Sequence, residues 1–197
     1  MLGAIRYNFA NLANFHGRDA RQTFWYYVLF LIVIQFAISM VGTVPMYIEM
    51  FTTIFDAASQ GLDPDAAMRS MMSGMVDQIR TQMIVGMVIA VVSSALFVAA
   101  FVRRLHDVGY TGWIALIPIA TQAFSVAYSW SMLDQIGDMM LRNMEAASAG
   151  GGDPFSMQAE MGWYSLVGWI GYLVVIGFGS LKGEAGPNQY GEEPVNF

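Results

Sequence analysis

Cysteine is absent from the chain. That excludes a disulfide framework, a thiolate nucleophile and any Cys-based metal site. Charge is scarce: 12% of residues are Asp, Glu, Lys or Arg, against about 25% in an ordinary soluble domain. What charge there is sums to −6, and a nucleic-acid partner needs a basic face that this balance does not supply. The sequence also lacks a Gly-rich phosphate loop with its Lys, an HExxH helix and a GxSxG elbow, so no familiar catalytic frame offers itself and no cofactor is implied. Met1–Thr23 is polar and mixed, without the apolar core of a cleavable signal peptide.

Apolar sequence fills the space that charge leaves. Hydrophobic residues make up 56% of the chain. They concentrate in Phe24–Val44, Met83–Val102, Trp113–Leu133 and Met161–Leu181, none of which contains Asp, Glu, Lys or Arg. About 20 residues at ~1.5 Å each span a hydrocarbon core of about 30 Å. The reading is an all-α, polytopic membrane protein, a single four-helix domain with spans at about 24–44, 83–102, 113–133 and 161–181. Phe24–Val44 is long enough to stay as an anchor.

Orientation follows the basic flanks. With an even number of spans, the N-terminus, the middle connection and the C-terminus share a side. That side carries Arg6, Arg18, Arg21, Arg103, Arg104 and Lys182. The other carries Arg69, Arg80 and Arg142 over much longer loops, among ten carboxylates from Glu49 to Glu160. Both termini are therefore expected in the cytoplasm.

The outer connections, 45–82 and 134–160, look helical. Tyr47, Met50, Phe51, Ile54 and Phe55 recur at helical spacing. Asp63-Pro64 supplies a helix start, and Met68, Met71, Met72, Met75, Val76 and Ile79 continue an apolar stripe. Met139, Met140 and Met144 mark a similar stretch, Gly150-Gly151-Gly152 ends it, and Asp153-Pro154 restarts a helix. The chain thus reads as two helical hairpins with helical extensions outside the membrane. The Asp-Pro pairs lie ninety residues apart, as do His16 and His106, a spacing that duplication of a hairpin would leave and that two independently capped hairpins would also give. The apolar stripe 47–55 is expected to pack against its partner arm, a second copy or a protein partner. The Met pairs at 68/71 and 72/75 have thioethers suited to Cu(I), but no His or Cys accompanies them, and core packing explains the spacing as well.

Candidate functional residues gather on the basic side. Arg103-Arg104-Leu105-His106-Asp107-Val108-Gly109-Tyr110-Thr111-Gly112-Trp113 joins the second span to the third. Asp107 is within helical reach of Arg103 or Arg104, Gly109 can supply a left-handed cap, and Trp113 suits the headgroup level. Two readings stand: an interfacial turn anchored by charge and Trp, or a pocket for an anionic headgroup or metabolite that uses His106 and Asp107. A catalytic His106–Asp107 pair is a third. Arg18 and Arg21 are expected on one helical face ahead of the first span. The tail from Gly183 is turn-rich, either a flexible end or folded back with its Glu residues on the Arg cluster.

FxGRxxRxxFW before the first span, RRLHDxGxxGW between two spans and GPNxYGxxP after the last resemble the YhaH/YhaI-like family of small bacterial inner-membrane proteins, a domain-of-unknown-function family. Arg103, Arg104, Leu105, His106, Asp107, Gly112 and Trp113 carry the middle motif. The resemblance covers the membrane part and both cytoplasmic ends and leaves out residues 46–80 and 135–158. It implies a bacterial inner-membrane location and no reaction.

The expected function is therefore non-enzymatic: binding of anionic lipid or a protein partner through Arg18, Arg21, Arg103, Arg104, His106, Asp107 and Trp113, with homo-oligomerisation as a further option. The rivals are a small-solute transporter or channel and, more remotely, a membrane-bound enzyme using His106 and Asp107. No acidic or basic residue sits inside a span, which disfavours a proton-coupled pathway.

Overall fold

In the computed structural model, residues 1–60, 64–140, 142 and 156–195 are described, with their side chains except at 46, 49, 58, 60, 64–73, 156–161, 163 and 165. Their regular structure is all helical, with no strand among the described residues. The order is α1 (Leu2–Ala10), α2 (Arg21–Gln60), α3 (Pro64–Asp107), a 3₁₀ turn (Gly112–Ala115), α4 (Leu116–Met132) and α5 (Ser156–Ser180). Asp63, the Gly150-Gly151-Gly152 break, Asp153-Pro154 and the side chains of Met68, Met71, Met72 and Met144 lie outside the described residues.

Two helices, Arg21–Ala57 and Gly74–Asp107, are long and apolar enough to cross a membrane. Their apolar residues point outward: only 11% and 22% of the most hydrophobic stretches are buried. The core helix of a water-soluble protein shows the reverse. The expectation of four such helices is corrected to two among the described residues. The third expected span divides into the 3₁₀ turn and the 17-residue α4. Pro118 has no N–H to return to the carbonyl of Ile114, so the chain enters α4 through a tighter turn. The fourth contributes the shorter apolar stretch Leu166–Ser180. With 40 and 44 residues, α2 and α3 are each about 60 Å long, roughly twice a hydrocarbon core.

The chain forms two compact units. One comprises Met1–Ile34, Ile89–Ala127 and Gly162–Phe197. Its core is one stripe of α2 (Phe24, Tyr27, Val28, Leu31) set against Ala100, Phe101, Val102 and Leu105 of α3, with Ala115 closing it. The stripe follows i, i+3, i+4, i+7, the spacing that places side chains on one helical face. Phe97 and Phe101 stack with centroids 5.3 Å apart, and Phe24 lies 5.9 and 6.0 Å from them. Tyr27 keeps its ring in this core because its hydroxyl donates to the Leu96 carbonyl at 3.1 Å. The short α1 joins through Phe9, edge-on to Tyr27 and Phe30 at 5.9 and 5.7 Å. On the far side Gly171 lets α5 approach Pro118 and Thr121 of α4, the small-residue contact that helices use in lipid.

The other unit comprises Gln35–Val88 and Tyr128–Met161. Here α2 runs on through Pro45. Ser39 and Thr43 donate back to the carbonyls of Gln35 and Ser39 at 2.9 and 2.8 Å just before it, while the carbonyl that the proline leaves without its helical N–H is that of Val41. Gly42 lies against Gln82, and Gln78 Nε2 donates to the Gly42 carbonyl at 3.4 Å, so the two long helices meet here side by side. Met50, Thr53 and Ala57 continue the half-covered face of α2. Tyr47, Phe51, Ile54 and Phe55 fall on its other side and are exposed. The partner arm therefore does not cover the stripe 47–55: small and flexible residues occupy the inward face of the hairpin, and the large rings turn away.

Candidate functional site: a buried arginine–aspartate network

The basic end of the first unit begins with a break in the backbone. Gly17 has φ +88°, a left-handed value that suits glycine, and α2 starts only at Arg21. Arg18 and Arg21 therefore do not share a helical face, contrary to expectation. Arg18 and Asp19 sit in the extended link, which turns them inward. The link is pinned by the Asp19 amide, which donates to the Arg103 carbonyl at 3.1 Å.

Three guanidiniums and two carboxylates meet there, all buried: Arg18, Arg103 and Arg104 with Asp19 and Asp107. Arg103 donates from Nε to Asp19 Oδ1 at 3.0 Å, from Nη1 to the carbonyls of Asn11 and Asn14 at 2.8 and 2.6 Å, and from Nη2 to Asn8 Oδ1 at 2.7 Å. One side chain of α3 thus fixes α1, the segment after it and the link. Arg18 places Nε and Nη2 on Asp107 Oδ1 at 3.2 and 3.0 Å. Its outer edge meets three carbonyls of the tail: Glu184 at 2.5 Å, Gly186 at 2.6 Å and Gly191 at 3.4 Å. Arg104 takes the other Asp107 oxygen and caps the end of α5 through the carbonyls of Gly179 and Leu181. Trp25 Nε1 donates to Gly179 as well, at 3.0 Å. Cations and an indole N–H at the carbonyl end of a helix answer both its orphan acceptors and its dipole.

Burial pushes the Asp19 carboxyl above the ordinary carboxylate range, against the pull of the Arg103 guanidinium. The ion pair therefore fixes geometry more than it adds net stability, as expected of charges withdrawn from water.

Of the expected site residues, Arg18, Arg103, Arg104, His106 and Asp107 come together. Asp107 pairs with Arg104, three residues away, and with Arg18. Arg103, the other partner within helical reach, goes to Asp19 instead. Arg21 stays exposed, and Trp113 is 76% exposed. His106 is half-buried. Its Nδ1 lies 3.2 Å from the Gly17 carbonyl, and because a carbonyl only accepts, that nitrogen carries the proton. Its ring stacks on Tyr190 at 3.9 Å and 4°.

Asp19, Asn8, Asn188 and Tyr190 complete the network; Asn188 and Tyr190 belong to the GPNxYGxxP motif, whereas Asn8 and Asp19 carry no signal of their own in the sequence. Asn188 Nδ2 donates to the His106 carbonyl at 2.9 Å and to Glu184 Oε2 at 2.8 Å. The tail does fold back, but Arg18 holds it by main-chain carbonyls and not by Glu carboxylates. Gly183 packs where a Cβ would meet the Asp107 carboxylate, which Arg18 and Arg104 already hold in place. Gly183→Ala should therefore lower unfolding stability by about 1–3 kcal/mol, the range for overpacking a fixed neighbour. Chemical unfolding of the purified variant in detergent measures it, and a neutral result would mean that the carboxylate can yield.

Among the described residues no group of His, Asp and Glu is placed to hold a metal ion. The chain is thus all-α among the described residues, with two helices of membrane-crossing length and, in the first unit, a buried arginine–aspartate network. The family model for DUF805, a protein of unknown function, matches residues 12–192, and the chain belongs to that family. The matched range encloses the network except Asn8 of α1 and Asn11 just after it, two of the acceptors of Arg103. No curated protein and no solved structure matches the chain.

Proposed function

We propose that the chain is a non-enzymatic, multi-pass protein of the bacterial inner membrane whose basic end, on the cytoplasmic face, binds anionic lipid. The observation that carries this reading is the charge imbalance of the network: three arginines against two aspartates, all buried, at the end where α2 begins and α3 finishes. That excess lies within the buried set; the Glu184 and Glu193 carboxylates of the folded tail are held by Asn188 and by the Gly186 amide, which leaves the exposed Arg21 and Lys182 to attract an anion. The outward apolar faces of α2 and α3 support immersion in lipid, and the shorter apolar helices α4 and α5 support four passes with both termini on one side. The resemblance of the three motifs to those of the YhaH/YhaI-like proteins supports the inner-membrane assignment. Trp113 and Tyr110, both exposed next to the network, suit the headgroup level. In this reading Arg18, Arg103, Arg104 and Asp107 build the end, while Arg21, His106 and Trp113 face what it binds.

Native mass spectrometry of the purified protein tests the proposal. Retained lipid should be enriched in anionic species over zwitterionic ones. Equal retention would overturn it. Topology has its own test, made simple by the absence of cysteine. Ser59→Cys should react with an impermeant maleimide from outside the cell and Glu192→Cys only after the membrane is opened. The opposite pattern would reverse the orientation.

A further inference from the structure

We propose that Arg21 and Lys182 form a subsite for a phosphate-bearing anion at the edge of the buried network. The proposal rests on the lipid-binding reading above and says where the phosphate sits. The three buried arginines are poor candidates for direct contact. Their donors are already directed at Asn8, Asn11, Asn14, Asp19 and Asp107, and at carbonyls of α5 and the tail. A ligand on any of them would first have to displace part of the chain.

Arg21 and Lys182 are free of that constraint. Both are exposed, and neither has a carboxylate partner among the described residues. The Arg21 guanidinium reaches the Ser180 carbonyl at 3.5 Å, which sets it against the chain two residues before Lys182. Glu184, the carboxylate nearest to Lys182 along the chain, is turned to Asn188. Three sources of positive potential therefore converge: the two exposed cations, the unbalanced charge of the network behind them, and the first N–H groups of α2, a 40-residue helix that begins at Arg21. The opposing negative end of α5 is already answered by Arg104 and Trp25. Leu181, exposed and next to Lys182 in the chain, and the half-buried rings of Trp25 and Tyr26, which follow Arg21 on α2, supply apolar surface of the kind a phospholipid headgroup with its glycerol and chains would use.

The same chemistry would accept a lipid phosphate or a free one, and two arms separate them. In the first, the full chain is placed in phosphatidylcholine nanodiscs containing phosphatidylglycerol, and retained lipid is counted by native mass spectrometry. In the second, inorganic phosphate is titrated against Trp fluorescence in pure phosphatidylcholine discs, Trp25 being the adjacent reporter. The wild type should prefer phosphatidylglycerol. The double variant Arg21→Gln/Lys182→Gln should lose that preference by on the order of tenfold, from two surface cations acting together. Arg21→Lys/Lys182→Arg should keep it, and Arg6→Gln, an exposed cation of α1, should not change it. A saturable fluorescence response to inorganic phosphate without a phosphatidylglycerol preference, lost in the same double variant, would assign the subsite to a free anion. If the wild type shows the lipid preference and the double variant keeps it, the subsite is wrong while the lipid-binding reading stands. If the wild type shows neither response, both fall.

Discussion

Asp107→Asn should reduce unfolding stability by about 3–5 kcal/mol, the cost of removing one partner from a buried ion pair. The carboxylate is the shared acceptor of Arg18 and Arg104, one on each oxygen, and its side chain is only 4% exposed. Asparagine keeps the volume but loses the charge, and its NH₂ would point a donor at a guanidinium that can only donate. Two buried cations would then face one remaining acidic group, Asp19, which Arg103 already holds. The matched control is Asp77→Asn, whose partner Arg80 lies 3.9 Å away in an exposed pair and which should change nothing measurable. Denaturant titration of both variants in the same detergent gives the comparison. Equal stability of the two would mean that the network is wet and compensated by solvent.

Arg103→Lys should be nearly as damaging, by about 2–4 kcal/mol, although it conserves charge. Arginine here serves acceptors on three stretches of chain: Asn8 Oδ1, the carbonyls of Asn11 and Asn14, and Asp19 Oδ1. A lysine carries its donors on a single nitrogen and cannot span that set, so two or more buried acceptors lose their partners. The loss should be local first. Hydrogen exchange should show α1 and residues 11–14 opening ahead of the helices, since Arg103 ties them to α3 by hydrogen bonds and what remains is the apolar contact of Phe9 with Tyr27 and Phe30 of α2. Uniform loss of protection along the chain would show instead that α1 is integral to the core.

Much of this arrangement is legible in residue order, and the limits have physical causes. Hydropathy marks where the apolar helices lie, because outward-facing Leu29, Ile32, Val33 and Phe36 and inward-facing Phe24, Tyr27 and Leu31 are both apolar in a helix that need not separate the two. The same indifference hides which side packs, so the stripe at 47–55 reads as a contact surface and is found exposed. The Arg103–Asp107 run announces itself by density of charge in a chain with little. Its pairing does not, because Arg104 is local to Asp107 whereas Arg18 and Asp19 approach from 89 and 84 residues away. Only the three-dimensional closure makes Asp19 the partner of Arg103. The tail is the least legible part. Gly186 and Gly191, at φ +73° and +142°, let backbone carbonyls turn toward Arg18, and a carbonyl carries no side-chain signature. The helix α1 escapes notice because its burial is limited to Ala4 and Asn8, and Asn8 keeps its place by donating to the Ala4 carbonyl at 2.9 Å and accepting from Arg103.

The central claim is that the arginines of this end hold the protein's own chain and leave ligand contact to the exposed cations beside them. Hydrogen exchange of the tail in an Arg18→Gln variant tests it most directly. Arg18 meets the carbonyls of Glu184, Gly186 and Gly191 and couples them to Asp107, whose own carbonyl accepts from the Glu184 amide at 2.8 Å. Glutamine is too short and has too few donors to replace those bonds. The account predicts that amides from 184 to 191 lose their protection together while the amides of α2 from 24 to 31 keep theirs. If the tail stays protected in the variant and anionic lipid is lost instead, Arg18 serves the ligand and not the chain, and the account is contradicted.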